Sequence, residues 1–311
     1  HSARRAMEIA AAGGHHMLLI GSPGCGKTLL ASRLPGILPP ASDEEAIESA
    51  AIASVSGKGL DLTRFRQRPF RSPHHTSSAV ALAGGGTQPK PGEISLAHQG
   101  VLFLDELAEW DRKSLEVLRQ PLESGTVSIS RAATSAEFPA RFQLVAAMNP
   151  CPCGWFGDSS GRCRCNPDAI ERYRGKLSGP LLDRIDIHLA MTRLSHEELH
   201  LNAPLGEPSS VIRQRVIAAR ALQMQRSGVS NAHLSQADLK THCQLNSGNQ
   251  ELLDKTMNAL QVSARATYRI LRVARTIADL AASPTIGTPH LAEAIQYRQL
   301  DRALSVPKRR S

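Results

Sequence analysis

The stretch Met17-Leu18-Leu19-Ile20-Gly21-Ser22-Pro23-Gly24-Cys25-Gly26-Lys27-Thr28-Leu29 decides the fold. An apolar run enters G-x-x-x-x-G-K-[ST] with every fixed position filled, the order that a phosphate-binding loop between strand and helix requires. Gly21, Gly24 and Gly26 let backbone N–H groups converge on phosphate oxygens where no Cβ intervenes. The helix beginning near Lys27 points its positive end at the same anion. Lys27 is expected to reach the terminal phosphates, and the Thr28 hydroxyl to hold Mg²⁺. Further on, Val101-Leu102-Phe103-Leu104 reads as a buried parallel strand that delivers Asp105 and Glu106 at its carboxyl end. Asp105 suits the metal's coordination shell, and Glu106 suits polarisation of an attacking water. Together the two stretches imply binding and cleavage of a nucleoside triphosphate.

A third apolar run, Phe142 to Met148, ends at Asn149-Pro150. Open parallel sheets bind ligands at their carboxyl edge, so Asn149 is placed to orient the hydrolytic water; its alternative role is a turn former before Pro150. Residues 1–190 alternate strand-like and helical runs, the pattern of an α/β domain with a parallel sheet between helices. After Met191 strand-like runs cease. Residues 191–208 carry Asn202, Pro204, Gly206 and Pro208, a linker composition. Helical segments are then expected at 210–227, 235–243, 249–260, 263–282 and 288–300, giving an all-helical lid over 209–303. Residues 304–311, with Lys308, Arg309 and Arg310, form a basic tail.

The chain of 311 residues is long enough for one large domain and a smaller one. No apolar run approaches the ~20 residues that cross a membrane, and no charged-then-apolar leader opens the chain, so a cytoplasmic protein without membrane contact is expected. The start at His1-Ser2-Ala3-Arg4-Arg5 lacks an initiator Met, and an excised piece of a longer protein is expected. Net charge is +9 and the isoelectric point 9.6. Arginines and histidines cluster over Arg64 to His75 and again over Arg162 to Lys176, which suits a polyanionic partner or a solvated surface. Aromatic residues make up only 4%, which favours contacts to a nucleic-acid backbone over base stacking.

Cys151-Pro152-Cys153 and Cys163-Arg164-Cys165 bring four thiols into one short polar segment. Such a segment cannot hold itself with a core, and four thiolates can surround a tetrahedral Zn²⁺. The C-x-C pairs depart from the commoner C-x₂-C spacing; the alternative is reduced or disulfide-linked loops, disfavoured in a reducing compartment. Cys25 occupies a variable position of the phosphate loop and is read as loop filling, and Cys243 as helix packing.

These motifs, with Arg71-Ser72-Pro73-His74-His75-Thr76, Gly84-Gly85-Gly86, Pro91-Gly92-Glu93-Ile94-Ser95-Leu96-Ala97-His98 and Gly175 to Asp186, resemble the AAA+ ATPases and, within them, the magnesium-chelatase-like subfamily, the YifB/ComM group. The resemblance covers nearly the whole chain. It implies ATP as the nucleotide, a homo-hexameric ring, and a Lon-protease-like domain ahead of the ATPase. It also implies an arginine finger at Arg184, with an intrachain salt bridge to Asp183 or Asp186 as the alternative. A γ-phosphate sensor is implied at Arg265 with Arg269 as runner-up, Arg272 being read as solvated. Two segments match pore elements: a helix-2 insertion over 65–96, with Arg71, His74, His75 and Lys90, and a β-hairpin over 123–138 with Arg131 near its tip. Packing of a buried loop is the alternative for His74 and His75. The implied activity is a DNA motor driving branch migration or helicase action in natural transformation and recombination. A chelatase-like remodeller of a protein partner and a slowly hydrolysing nucleotide-gated scaffold are the alternatives.

Overall fold

The computed structural model describes residues 2–57, 63, 65–130, 135–193, 206–260 and 263–298. Nine strands occur among them: β1 (Met17–Gly21), β2 (Phe70–Arg71), β3 (Gly84–Gly85), β4 (Lys90–Pro91), β5 (Val101–Leu104), β6 (Thr126–Ser130), β7 (Ser135–Pro139), β8 (Gln143–Met148) and β9 (Ile187–Met191). Five of them build a parallel sheet in the order β2-β5-β8-β1-β9. Along β1, β5 and β8 nearly every residue is apolar and buried, because a parallel sheet is covered on both faces.

Alternation along each strand sorts these residues into two cores. Met17, Leu19, Phe103, Val145, Ala147 and Ile187 face a layer made by helix Ser2–Gly13 and the C-terminal helices. Leu18, Ile20, Leu102, Leu104, Ala146 and Met148 face the other layer, which includes Trp110, Leu115, Val127, Ile129 and Leu181. Helix Lys27–Ile37 starts directly behind the phosphate loop and also belongs to the first layer.

Two small antiparallel hairpins stand off the sheet. β3 pairs with β4, and β6 with β7 in the register Thr126↔Pro139 to Ser130↔Ser135. Val127 and Ile129 are buried while Ser128 and Ser130 are exposed, so the hairpin's base is anchored by its period-2 apolar face. Its turn, with Arg131, lies outside the described residues, as do residues 194–205 of the expected linker and the tail from residue 299 onward. The stretch expected as an insertion over 65–96 is not separate from the core at its start, since Phe70–Arg71 forms the edge strand of the main sheet beside Val101–Leu102.

The C-terminal region is helical over Ser209–Ser227, Gln236–His242, Ser247–Leu260, Ala264–Leu280 and Thr288–Gln296. Gly228 ends the first of these at φ 70°, and Ser235 opens the second with a capping box to Asp238. Helices 209–227 and 264–280 pack on helix Ser2–Gly13. At their base, Asp186 is 2% exposed and is held by Arg269 Nη1 at 2.6 Å and by the His16 backbone N–H at 3.0 Å. Asp186 immediately precedes β9, which places this contact at the amino-terminal edge of the sheet.

Candidate functional site

The carboxyl ends of β1, β5 and β8 lie side by side and hand over Gly21, Asp105 and Asn149 in one row. The loop after β1 curls through Gly24 at φ 78° and Gly26 at φ 88°. At Gly26 an added Cβ would meet nothing within 4 Å, so the left-handed backbone, rather than crowding, calls for glycine there. Crowding acts at Gly21, where a Cβ would fall 2.6 Å from the Met191 carbonyl oxygen and 2.7 Å from Cys25 Sγ. Cys25 is buried within the loop, whereas Pro23, Thr28 and Leu29 are exposed.

Lys27 is 8% exposed and folds back over the loop, donating to the Gly21 and Ser22 carbonyl oxygens at 2.7 and 3.1 Å. It also donates to Asn149 Oδ1 at 3.2 Å, tying the first strand's loop to the third strand's end. Thr28 Oγ1 donates to Asp105 Oδ2 at 2.7 Å. A hydroxyl and a carboxylate oxygen held together in this way are the hard donors that suit Mg²⁺. A triphosphate's metal would be held by Thr28 and Asp105, and its phosphates by the loop N–H groups and Lys27.

Glu106 follows at φ 51°, ψ 44°, a left-handed conformation that costs a non-glycine residue about 1–3 kcal/mol. The Asp105 carboxylate accepts from the Glu106 backbone N–H at 2.8 Å, and Trp110 Nε1 donates to the Asp105 carbonyl at 2.9 Å; both contacts fix the turn. Glu106 Oε2 lies 2.9 Å from His75 Nδ1. His75, expected among DNA contacts, therefore faces the acid that would polarise water. His74 is exposed and its ring centroid is 4.2 Å from that of His75. Arg71, from the same group, is engaged by Glu93 through Nε–Oε2 at 2.5 Å and Nη2–Oε1 at 2.6 Å. Lys90 is exposed on β4.

The other expected cations are not gathered at this row. Arg184 is buried and bonds the Pro180 carbonyl and Glu123; its carboxylate partner is Glu123, not Asp183 or Asp186. Asp186 instead takes Arg269, and His15 Nδ1 stands 3.5 Å away. Burial alone would raise the Asp186 carboxyl, but Arg269 and His15 hold it well below the usual carboxylate value. Arg265 is exposed, one turn ahead of Arg269. From Asp186 to the carboxyl edge of β9 is roughly 16 Å, so Arg269 is anchored away from its own chain's phosphate loop. Arg272 is not solvated as expected: it donates to the Leu234 carbonyl at 2.6 Å, and burial lowers its pKa. Long sequence separations hide such pairings from a sequence reading, and no local motif marks Glu123, Asp186 or His75 as partners.

Beside Asn149, the thiols of Cys151, Cys153, Cys163 and Cys165 all lie within 4.8 Å of one another. The Cys151–Cys153, Cys151–Cys163 and Cys153–Cys163 sulfur separations are 3.4, 3.8 and 3.7 Å. Tetrahedral zinc with ~2.3 Å bonds sets sulfurs ~3.8 Å apart, whereas a disulfide needs ~2.05 Å, so the donor set fits the metal. The Trp155 backbone N–H is the main cause that lowers the Cys153 thiol to about 6.

The family model for the magnesium chelatase subunit ChlI matches residues 1–199, and that for the ChlI C-terminal region matches residues 206–298. The chain belongs to the magnesium chelatase ChlI family. Within this AAA+ family it falls in the YifB/ComM group. It is 51% identical to the competence protein ComM of Haemophilus influenzae over 97% of its own length and 59% of that protein's. It is 50% identical to the uncharacterized protein YifB of Escherichia coli and 49% to that of Salmonella typhimurium, again over 97% of the chain and 59% of each relative. The chain thus spans 59% of the length of each of these three relatives. Among the described residues, no helix is long and apolar enough to cross a membrane.

Proposed function

We propose that this ChlI-family chain is the ATP-hydrolysing part of a hexameric DNA motor that drives branch migration or unwinding during natural transformation and recombination. The observation that carries the reading is the row of strand ends that puts Lys27, the Thr28–Asp105 pair, Glu106 and Asn149 together. Lys27 and the loop N–H groups bind phosphates, Glu106 takes up the proton of the attacking water, and Asn149 orients that water. Mg²⁺, held by Thr28 and Asp105, supplies charge neutralisation on the phosphates when bound. Arg184 and Arg265 act on the nucleotide of a neighbouring subunit, in keeping with their absence from the row in their own chain. DNA is gripped through backbone contacts by Lys90, His74 and Arg131, supported by a net charge of +9. Zinc on the four cysteines is structural. The name of the ComM relative points to competence.

The test is ATP turnover with Mg²⁺, with and without single-stranded and four-way-junction DNA, alongside junction migration and a Glu106→Gln control. Turnover stimulated by DNA together with junction migration is expected. Turnover that ignores every DNA but rises with a protein partner would replace the motor by a chelatase-like remodeller.

A further inference from the structure

The four-cysteine segment does not stand clear of the nucleotide site; it rests on the phosphate loop. Cys151 follows Asn149 by two residues and is fully buried, accepting from the Phe156 backbone N–H at 3.3 Å. Gly154, at φ 82°, lies so close to the loop that an added Cβ would fall 2.7 and 2.8 Å from Cδ and Cγ of Pro23 and 3.7 Å from Cγ of Asn149. Asp158, in the turn after Gly157, accepts from the Ser160 backbone N–H at 2.9 Å, and its carboxyl is held below the usual value chiefly by Ser160 and to a lesser degree by the nearby Ser22 side chain. Arg162 and Arg193 each stack over the Trp155 ring, at 4.8 and 5.2 Å from its centroid. Arg193 Nη2 in turn is 4.0 Å from the Cβ position of Gly24. Behind the segment, Arg174 donates to the Pro150 carbonyl at 3.2 Å and stacks over Phe156.

The segment thus presses directly on Pro23 through Gly154, with Asn149 and Ser22 close by, while Gly24 is approached by Arg193, which stacks on the segment's Trp155 from outside it. That segment has little core of its own: Cys153, Phe156, Arg162 and Arg164 are exposed, and Cys163 and Cys165 are half-exposed. Its shape depends on what joins the four sulfurs, since a polar loop of this kind is ordered by its metal.

We propose that the zinc-loaded cysteine segment is a buttress for the phosphate loop, so that metal occupancy sets the affinity for ATP. Gly154 is the positioning residue that transmits the effect through Pro23, with Asp158 near Ser22 as a second point of approach. The inference rests on the ATP-binding reading above. Coupling between two sites is reciprocal: if zinc tightens nucleotide binding by some factor, nucleotide tightens zinc by the same factor. A segment that merely stabilised the fold locally would leave that second quantity unmoved.

The experiment measures the affinity of the chain for a fluorescent methylanthraniloyl derivative of ADP, with zinc content determined by elemental analysis. Zinc-stripped protein and a Cys153→Ser/Cys163→Ser variant are expected to bind the probe at least roughly tenfold more weakly, within the usual range of allosteric coupling. Competition for zinc by a chromophoric chelator is expected to become harder by a similar factor when ADP and Mg²⁺ are present. Gly154→Ala, which pushes against Pro23, should keep one equivalent of zinc yet lose the reciprocal effect; Asp158→Ala provides the same separation if Gly154→Ala does not fold. Equal probe affinity with and without zinc overturns the coupling. Less than half an equivalent of zinc in protein purified without chelator overturns the metal site. Zinc-loaded protein that binds no adenine nucleotide overturns the ATP-binding reading itself, and the coupling with it.

Discussion

Replacing Arg269 by Met separates an anchoring role for this residue from a nucleotide-sensing one. Its guanidinium is 2.6 Å from Asp186, a carboxylate 2% exposed whose other neighbours are a backbone N–H at 3.0 Å and His15 Nδ1 at 3.5 Å. Met removes the charge and keeps most of the volume, leaving a buried carboxylate without its cation. Breaking one side of a buried pair costs about 3–5 kcal/mol. Against a total stability of about 5–15 kcal/mol this is a large share, and urea unfolding followed by circular dichroism resolves it easily. Asp186→Asn in the same background removes the stranded charge, so the double variant should recover about 1–3 kcal/mol relative to additivity. The deficit also has a pH signature. The folded pKa of Asp186 lies below its unfolded value of 3.8, so its stabilisation is present above that pH and is lost as pH falls through the folded value. The gap between wild type and Arg269→Met should therefore close below about pH 4. An Arg269→Met chain that loses less than about 1 kcal/mol but cannot hydrolyse ATP would refute the anchoring argument and make Arg269 the sensor in place of Arg265.

Three further outcomes are expected. Glu106→Gln should bind ATP as wild type does and lose about 10²–10⁴-fold in turnover, because only proton transfer from water is removed; equal loss of binding in a nucleotide titration would count against that role. Arg184→Ala should bind ATP and lose roughly 10³-fold in turnover, while Glu123→Gln keeps it; near-normal turnover by an assembled Arg184→Ala ring would defeat the finger assignment. His16, whose pKa is lowered from 6.5 to about 4 chiefly by burial, accepts from the Leu144 backbone N–H through Nδ1. The unfolded chain takes up its proton first, so stability should rise by up to about 3 kcal/mol between pH 4 and 6.5; urea midpoints of wild type and His16→Gln that change equally over this range would sink the assignment.

Much of the fold was legible because its signals are local. Apolar runs ending in Gly21, Asp105 and Asn149 describe three neighbouring strands of a parallel sheet, and the change of periodicity after Met191 marks the helical region. The two-residue strand Phe70–Arg71 was hidden, because it lies in an arginine- and proline-rich stretch and is held only by pairing to Val101 and Leu102. Side-chain partnerships were the least legible layer. Arg184 and Glu123 are separated by 61 positions, and Arg269 and Asp186 by 83, so nothing in the spacing of either arginine distinguishes an anchor from a free cation. Arg272 reads as a surface residue by helical spacing, yet it closes on the Leu234 carbonyl in a neighbouring element.

The row of strand ends carries a consequence for how the chain can vary in length. Lys27, Asp105 and Asn149 keep their mutual spacing because Leu18 pairs with Ala146 and Leu102 with Leu144, residue for residue. Deleting one residue inside β8 would shift Asn149 by about 3.3 Å and turn Leu144, Ala146 and Met148 toward the wrong core. Gains and losses of residues should therefore survive only between the strands, where they leave the count from core to phosphate loop untouched, and the hydrophobic interior acts as the ruler for the chemistry.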